Sequence, residues 1–330
     1  MKTYFITGGA GFIGTNFIKH LFETYGEEVR VINYDKLTYA GNRKWLEEFE
    51  KKENYRFVQG DILDEERLTT IFNKEQIDYV VHLAAESHVD RSLESDIEFF
   101  QTNVLGTRML YQVIHNVWKD DIRDKKILHV STDEVYGELE ETGQFMEHMP
   151  LHPNNPYSAS KAGGEMVAIA YYKTYGLPIV RTRCSNNFGP YQHEEKLIPK
   201  CIKHCLNHKK IPVYGDGNNI REWLFVKDHC KAMDIVLLTG KLGEVYNIGS
   251  HQEMRALSIV TTIINYLQEH VDSSITMDLV EFTKDRLGHD KRYAVDTNKI
   301  ERNLSWTPNT NFEEGIAATI DWYLKEYGFR

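Results

Sequence analysis

The stretch FITGGAGFIG, residues 5–14, joins an apolar run to the start of a helical pattern. Thr3–Thr7 reads as a strand and Gly11–Tyr25 as a helix, with Gly8, Gly11 and Gly14 at the turn between them. The spacing is GxxGxxG rather than GxGxxG, but the physical logic is the same. Small residues permit a tight turn, backbone approach to a pyrophosphate and close packing of helix on strand. The helix start, with Phe12 and Ile13, supplies free N–H groups and the positive end of a dipole. A second strand, Val29–Tyr34, runs into Asp35, 21 residues after Gly14, where a carboxylate can accept from the ribose hydroxyls of a dinucleotide. That carboxylate repels a 2′-phosphate and so favours NAD over NADP, while Lys36 and Arg43 place opposite charge nearby.

The same alternation continues outward. Tyr55–Gln59, Ile77–Ala84, Ile127–Val130 and Ile179–Arg183 are short apolar runs, and Asp64–Asn73 is helical. Continuous apolar strands separated by helices imply a parallel sheet covered on both faces. The fold class expected is α/β, a doubly wound parallel-sheet Rossmann domain with a smaller mixed α/β substrate lobe. The expected boundaries are 1–185 for the cofactor domain, with elements near 223–248 returning to it, and 186–330 for the interleaved lobe. Pro190, Pro199, Pro212 and the turn YGDGNN at 214–219 mark the change of rhythm. Ile97–Trp118 and Tyr157–Tyr175 read as long helices whose apolar faces exceed what one sheet face requires. Packing on the sheet and pairing with a second copy both account for them.

Composition narrows the classes. The 330 residues are 41% hydrophobic and 27% charged, ordinary for a globular chain, and no apolar run nears the roughly 18 residues of a membrane span. The N-terminus reads as a first strand rather than a signal peptide. A net charge of −10 argues against a general nucleic-acid binder. Cys184, Cys201, Cys205 and Cys230 form no CxxC pair and share no metal spacing with histidine, so reduced thiols in a cytoplasm and no metal are expected.

Chemistry concentrates at strand ends. In QGDI, residues 59–62, Asp61 and Ile62 close the third strand, where Asp61 can meet an adenine edge or cap a turn. In HLAAES, residues 82–87, Leu83, Ala84 and Ala85 are compact enough to pack on a cofactor. KILHVSTDEVYGE, residues 126–138, sets Thr132, Asp133 and Glu134 side by side where a core strand ends, although carboxylates are seldom buried unless paired or used. In a regular strand Asp133 and Glu134 point to opposite faces, so both serve one site only if the strand ends at or before Thr132. PYSASKAGGE, residues 156–165, places Tyr157 and Lys161 four apart on one helical face. A tyrosine near pKa 10 is a poor base at neutral pH until neighbouring positive charge favours its phenolate.

With these motifs the chain resembles, nearly end to end, the extended short-chain dehydrogenase/reductases that act on nucleotide-sugars. YDKLTYAGN, AAESHVDRS, STDEVYG, PYSASKA, RCSNNFGPYQ, EKLIPK, REWLFVKDH, YNIGS and DRLGHDKRYAVD carry the resemblance. Leu287 and Lys291 depart from the proline and arginine more usual there. Within the family the match is to the branch that dehydrates dTDP-glucose, an early step toward deoxysugars of the dTDP-rhamnose type. The resemblance implies that Tyr157 takes the C4 hydroxyl proton as NAD receives hydride, with Lys161 tuning Tyr157 and holding the nicotinamide ribose. It implies that Thr132 bonds O4, Glu134 removes the C5 proton, Asp133 protonates the departing C6 hydroxyl, and hydride returns to C6. It brings in Ser87, Asn247 and Tyr293 as sugar-nucleotide contacts and suggests a homodimer. A diphosphate needs cations and amide donors, for which Arg221 and Arg292, with Lys196 and Asn187, are the candidates.

Water loss needs both an acid and a base, which two carboxylates can divide; inversion at C4 needs neither. Asp133 and Glu134 therefore separate dehydratase from 4-epimerase, and with Tyr157 and Lys161 they weigh against a silent NAD sensor. UDP- or CDP-sugar dehydratases and a decarboxylase remain alternatives on sequence, because one thymine methyl is worth only about 1–3 kcal/mol in a pocket.

Overall fold

The computed structural model describes residues 1–329. Strands β1 Lys2–Thr7, β2 Val29–Asp35, β3 Tyr55–Gln59, β4 Tyr79–His82, β5 Lys126–Thr132, β6 Ile179–Cys184, β7 Asn186–Phe188, β8 Ile211–Tyr214, β9 Ile220–Phe225, β10 Val245–Ile248, β11 Glu253–Arg255 and β12 Val280–Thr283 follow one another along the chain. Seven of them form one sheet in the order β10-β6-β5-β4-β1-β2-β3, every pairing parallel. The chain builds outward from β1 to β3, then restarts at β4 and builds the other way. That reversal leaves a crevice at the carboxyl ends of β1 and β4, where ligands bind in such sheets.

Alternate strand residues feed two cores. Ile6, Val81, Leu128 and Val180 pack with Phe17, Leu21, Met233 and Leu237, from helices Phe12–Tyr25 and Val226–Thr239. Phe5, Val80, Ile127 and Ile179 pack on the other face with Leu68, Ile71, Leu110 and Ala168. Both faces are covered, which is why the strands are apolar throughout. A fully buried aliphatic side chain of this size contributes about 1.5–3 kcal/mol. β10 and helix Val226–Thr239 belong to this layer although they lie late in the sequence.

Apart from Asn298–Leu304, whose Ile300 packs into the first of these cores, the remaining elements form a smaller lobe. Its sheets are β11-β9-β7 and the parallel pair β12-β8. Its core joins Phe188, Ile198, Cys201, Ile263, Phe312 and Ile320.

The long helix expected over 97–118 is interrupted. Ile97–Phe100 is α-helical, Gln101–Gly106 is a π turn, and α geometry resumes over Thr107–Trp118. The wide turn brings Asn103 inward, where its side chain accepts from Glu86 N at 2.9 Å and donates to Ser160 Oγ at 2.8 Å. Glycines let the second helix approach: a Cβ on Gly164 would sit 2.4 Å from the Asn103 carbonyl oxygen.

Candidate active site

The cofactor residues expected from sequence converge on one cleft of about 320 Å³ at the β1/β4 crevice. Gly8, Gly11, Phe12, Ile13, Gly14, Asp35, Lys36, Asp61, Ile62, Leu83, Ala84, Ala85, Tyr157 and Lys161 all line it. Gly8 has φ +72°, and a Cβ there would lie 2.7 Å from Ala84 N, so only glycine lets the turn reach the end of β4. Gly11 caps the first helix without a side-chain bond, which leaves its first N–H groups facing the cleft. Asp35 is buried and accepts from Ala10 N at 2.9 Å and Leu37 N at 2.7 Å. A carboxylate has about four acceptor positions, so it keeps capacity for ribose hydroxyls. Asp61 pairs with Lys36 at 2.8 Å and also accepts from Leu63 N at 3.0 Å, so capping and cleft-lining coexist. This glycine-floored cradle with a carboxylate at its far end fits a dinucleotide.

A second cleft of about 220 Å³ continues from the first. Glu134, Ser87, Asn187 and Lys196 line both, while Arg221 and Tyr293 line the second alone. The two spaces therefore meet beside the strand-end carboxylates. β5 ends at Thr132, and Asp133–Tyr136 turns as a 3₁₀ helix capped by the Thr132 hydroxyl. Gly137, φ +91°, closes the turn where any Cβ would strike the His152 carbonyl oxygen. Leaving β geometry here lets Asp133 and Glu134 both border the clefts.

Their surroundings differ. Asp133 is 1% exposed; its Oδ1 accepts from the Thr132 hydroxyl at 3.2 Å, and its Oδ2 has no partner. Burial, then the negative charges of Glu134 and Glu222, hold its carboxyl well above the usual carboxylate range. Burial also raises Glu134, but Arg221, Lys196 and Arg286 oppose that rise. One carboxyl is thus pushed toward its protonated form while its neighbour faces cations.

The helix that carries Tyr157 and Lys161, Pro156–Tyr175, starts with a capping box between Asn155 and Ser158 and with Pro156 in the first turn. Burial pushes the Tyr157 phenol well above 10, opposed by the Thr132 hydroxyl. Lys161 donates to the Val130 carbonyl at 2.9 Å, and burial lowers it to about 8.

In the second cleft, the Arg221 guanidinium lies 4.4 Å from the centre of the Tyr293 ring and donates to the carbonyls of Ile220 and Asp290, each at 2.8 Å. Among the described residues no carboxylate pairs with it, so its charge is open to an anion. Lys196 donates to the Ser87 carbonyl at 2.9 Å. Asn186 Oδ1, Asn187 Oδ1, Gln192 Oε1 and Trp223 Nε1 are buried without partners along the clefts, as expected of groups that meet a ligand.

Two expected substrate contacts lie elsewhere. Arg292 forms a fork with Glu253 at 2.6 and 2.7 Å and donates to the Gly143 carbonyl at 3.0 Å, outside both clefts. Arg286 reaches the second cleft instead, held by Asp90 at 2.6 and 3.0 Å. Asn247 is fully buried, accepting from the Tyr136 hydroxyl at 2.8 Å and donating to the Phe145 carbonyl at 2.8 Å. Sequence reading also passed over Asn186, Gln192, Glu195 and Asn219, which line the clefts. The irregular stretch after Cys184 was the available signal. Among the described residues there is no helix long and apolar enough to cross a membrane and no cluster of three or more metal-ligating side chains.

Comparison with known proteins agrees with this geometry. The family model described as GDP-mannose 4,6 dehydratase matches residues 5–319. A dTDP-glucose 4,6-dehydratase from Xanthomonas campestris pv. campestris is 47% identical over 331 residues, covering 98% of this chain and 93% of the relative. The crystal structure of DesIV, a dTDP-glucose 4,6-dehydratase from Streptomyces venezuelae with NAD and TYD bound, superposes with TM-score 0.92 at 42% identity, covering 99% of this chain and 98% of that one. The dTDP-glucose 4,6-dehydratase of Bacillus anthracis in complex with NAD gives TM-score 0.90 at 42% identity, covering 100% and 98%. The chain belongs to the dTDP-glucose 4,6-dehydratases, within the extended short-chain dehydrogenase/reductase fold.

Proposed function

We propose that this chain is an NAD-dependent hydro-lyase that converts dTDP-glucose into a 4-keto-6-deoxy sugar nucleotide without net redox change. The carrying observation is the unequal pair at the end of β5: Asp133 buried with an unpartnered oxygen beside negative charge, Glu134 facing Arg221, Lys196 and Arg286. NAD, when bound in the first cleft, supplies the acceptor for hydride from C4 and its donor to C6. Tyr157, as the phenolate that Lys161 and the positive charge of a bound nicotinamide would favour, accepts the C4 hydroxyl proton, and Thr132 orients O4. The resulting C4 ketone acidifies the C5 hydrogen, which Glu134 removes as a proton and gives back to C5 when hydride reaches C6. Asp133, whose burial beside negative charge favours its protonated form, gives its proton to the C6 hydroxyl, which departs as water. Lys161 places a positive charge on the Tyr157 side of the cleft and reaches the nicotinamide ribose. Asp35 holds the adenosine ribose, and the helix start at Gly11 faces the pyrophosphate.

Ser87, Asn187, Lys196, Arg221 and Tyr293 receive the sugar nucleotide, with Arg221, Lys196 and Arg286 toward the diphosphate. The chain divides into a cofactor part, residues 1–185 with 223–248, and a substrate lobe formed by the remainder. It acts in the cytoplasm as a homodimer. Ile97, Leu105 and Met166 are 64, 54 and 47% exposed on the two long helical segments, an apolar surface that a second copy would cover. The test is incubation with trace NAD and dTDP-, UDP-, CDP- or GDP-glucose. A product lighter by one water, fastest from dTDP-glucose, is expected. Unchanged mass with inversion at C4 would mean an epimerase, and no turnover on any sugar would favour a sensor.

A further inference from the structure

Glu165 lies four residues beyond Lys161 and eight beyond Tyr157 on the catalytic helix, and it is fully buried. Both of its oxygens are engaged. Oε1 accepts from Arg181 Nη1 at 2.8 Å and Arg183 Nη2 at 2.6 Å, and Oε2 accepts from Arg183 Nε at 3.0 Å. Arg183 stands on β6 opposite Ser131 of β5, with its guanidinium 4.5 Å from the centre of the Tyr136 ring. Tyr136 stacks on Phe145 at 4.8 Å with 11° between the planes, and its hydroxyl is tied to Asn247. Tyr136 is also the last residue of the turn that carries Asp133 and Glu134.

A continuous buried path therefore runs from the helix bearing Tyr157 and Lys161, through Glu165 and Arg183, to the turn bearing the acid and base. Stability alone does not account for it. Three buried charges must be stripped of water, and apolar side chains of similar volume are often no less stable in such places. What an ionic fork adds is direction, because both partners are planar and paired through two bonds.

We propose that Glu165, Arg183 and Tyr136 are positioning residues that hold Asp133 and Glu134 in register with Tyr157 and Lys161, and that they govern water loss more than oxidation at C4. Tyr157 and Lys161 have anchors of their own, in the capping box at Asn155 and the bond to the Val130 carbonyl. Asp133 and Glu134 depend on the turn, and the turn is clamped at Tyr136. This inference rests on the dehydratase reading above.

The test follows the two half-reactions in single turnovers with NAD and dTDP-glucose. Absorbance at ~340 nm reports oxidation at C4, and product mass reports water loss. Tyr136→Leu removes the ring from between Arg183 and Phe145, Arg183→Lys keeps the charge but loses the fork, and Tyr136→Phe keeps the ring. Tyr136→Leu and Arg183→Lys are expected to slow water loss about tenfold or more and oxidation less than about threefold, so that absorbance accumulates. Tyr136→Phe should stay within about threefold of wild type in both. Amide hydrogen exchange over residues 133–137 should quicken in Tyr136→Leu and Arg183→Lys. Equal slowing of both halves, or unchanged exchange and unchanged rates in Tyr136→Leu, would overturn the proposal. If one of the two disruptive variants does not fold, the other decides. Failure of the wild-type protein to lose water from any nucleotide-hexose would instead overturn the dehydratase reading.

Discussion

Lys161→Met should make the nucleotide-free protein more stable at neutral pH while destroying its activity. Burial lowers the Lys161 ammonium from 10.5 to about 8. At ~1.36 kcal/mol for each pH unit, keeping it charged in the fold costs about 3 kcal/mol. Against this, methionine fills a similar length but leaves the Val130 carbonyl without its 2.9 Å partner, a loss of about 1 kcal/mol. Water at the open cleft wall reduces the gain further, so a net stabilisation of about 1–2 kcal/mol is expected at pH 7. The pH dependence has a definite sign. The unfolded chain binds this proton more tightly than the native one, so the native state is penalised fully below about pH 8 and progressively less up to 10.5. Urea unfolding of both proteins at pH 7 and pH 10.5 measures it. The advantage of Lys161→Met should be largest at pH 7 and gone, or reversed, at pH 10.5. A variant less stable than wild type at pH 7, or a difference that does not change with pH, would refute the reasoning.

Further outcomes are expected from neighbouring groups. Glu134→Gln should reduce water loss by about 10²–10⁴-fold, the usual worth of a general base, while sparing hydride uptake at C4; dehydration at the wild-type rate would refute the role of Glu134. Asp133→Asn should raise stability at pH 7 but not near pH 3.5, because a carboxyl held neutral in the fold penalises the native state only once the unfolded chain ionises; urea titrations at both values check this. Asp90→Asn, which loosens the fork on Arg286, should raise KM for the sugar nucleotide several-fold and change kcat little, as read from initial rates. Leu105→Glu with Met166→Glu should halve the mass measured by sedimentation.

Much of the fold was legible because its determinants are local. The glycine turn, the apolar strands and the helix starts each depend on a few consecutive residues, and even the end of β5 followed from the demand that Asp133 and Glu134 share a site. The π turn at Gln101–Gly106 was not, because it depends on Asn103 finding Glu86 and Ser160 across the fold. The substrate side was less legible for the same reason. Arg286 and Arg292 lie in one short segment with equal claims on a diphosphate. Which one reaches the cleft is decided by distant partners, Asp90 for the former and Glu253 for the latter. Asn247 ends in the core because a tyrosine 111 positions earlier needs an acceptor there.

The central claim is that one hydride leaves C4 and returns to C6 of the same sugar while water departs between them. dTDP-glucose carrying deuterium at C4, incubated in ordinary water with NAD below the enzyme concentration, tests it most directly. The account predicts a product one water lighter that retains the deuterium in its C6 methyl group. Deuterium still at C4 in a sugar of unchanged composition, or lost to solvent, would contradict it.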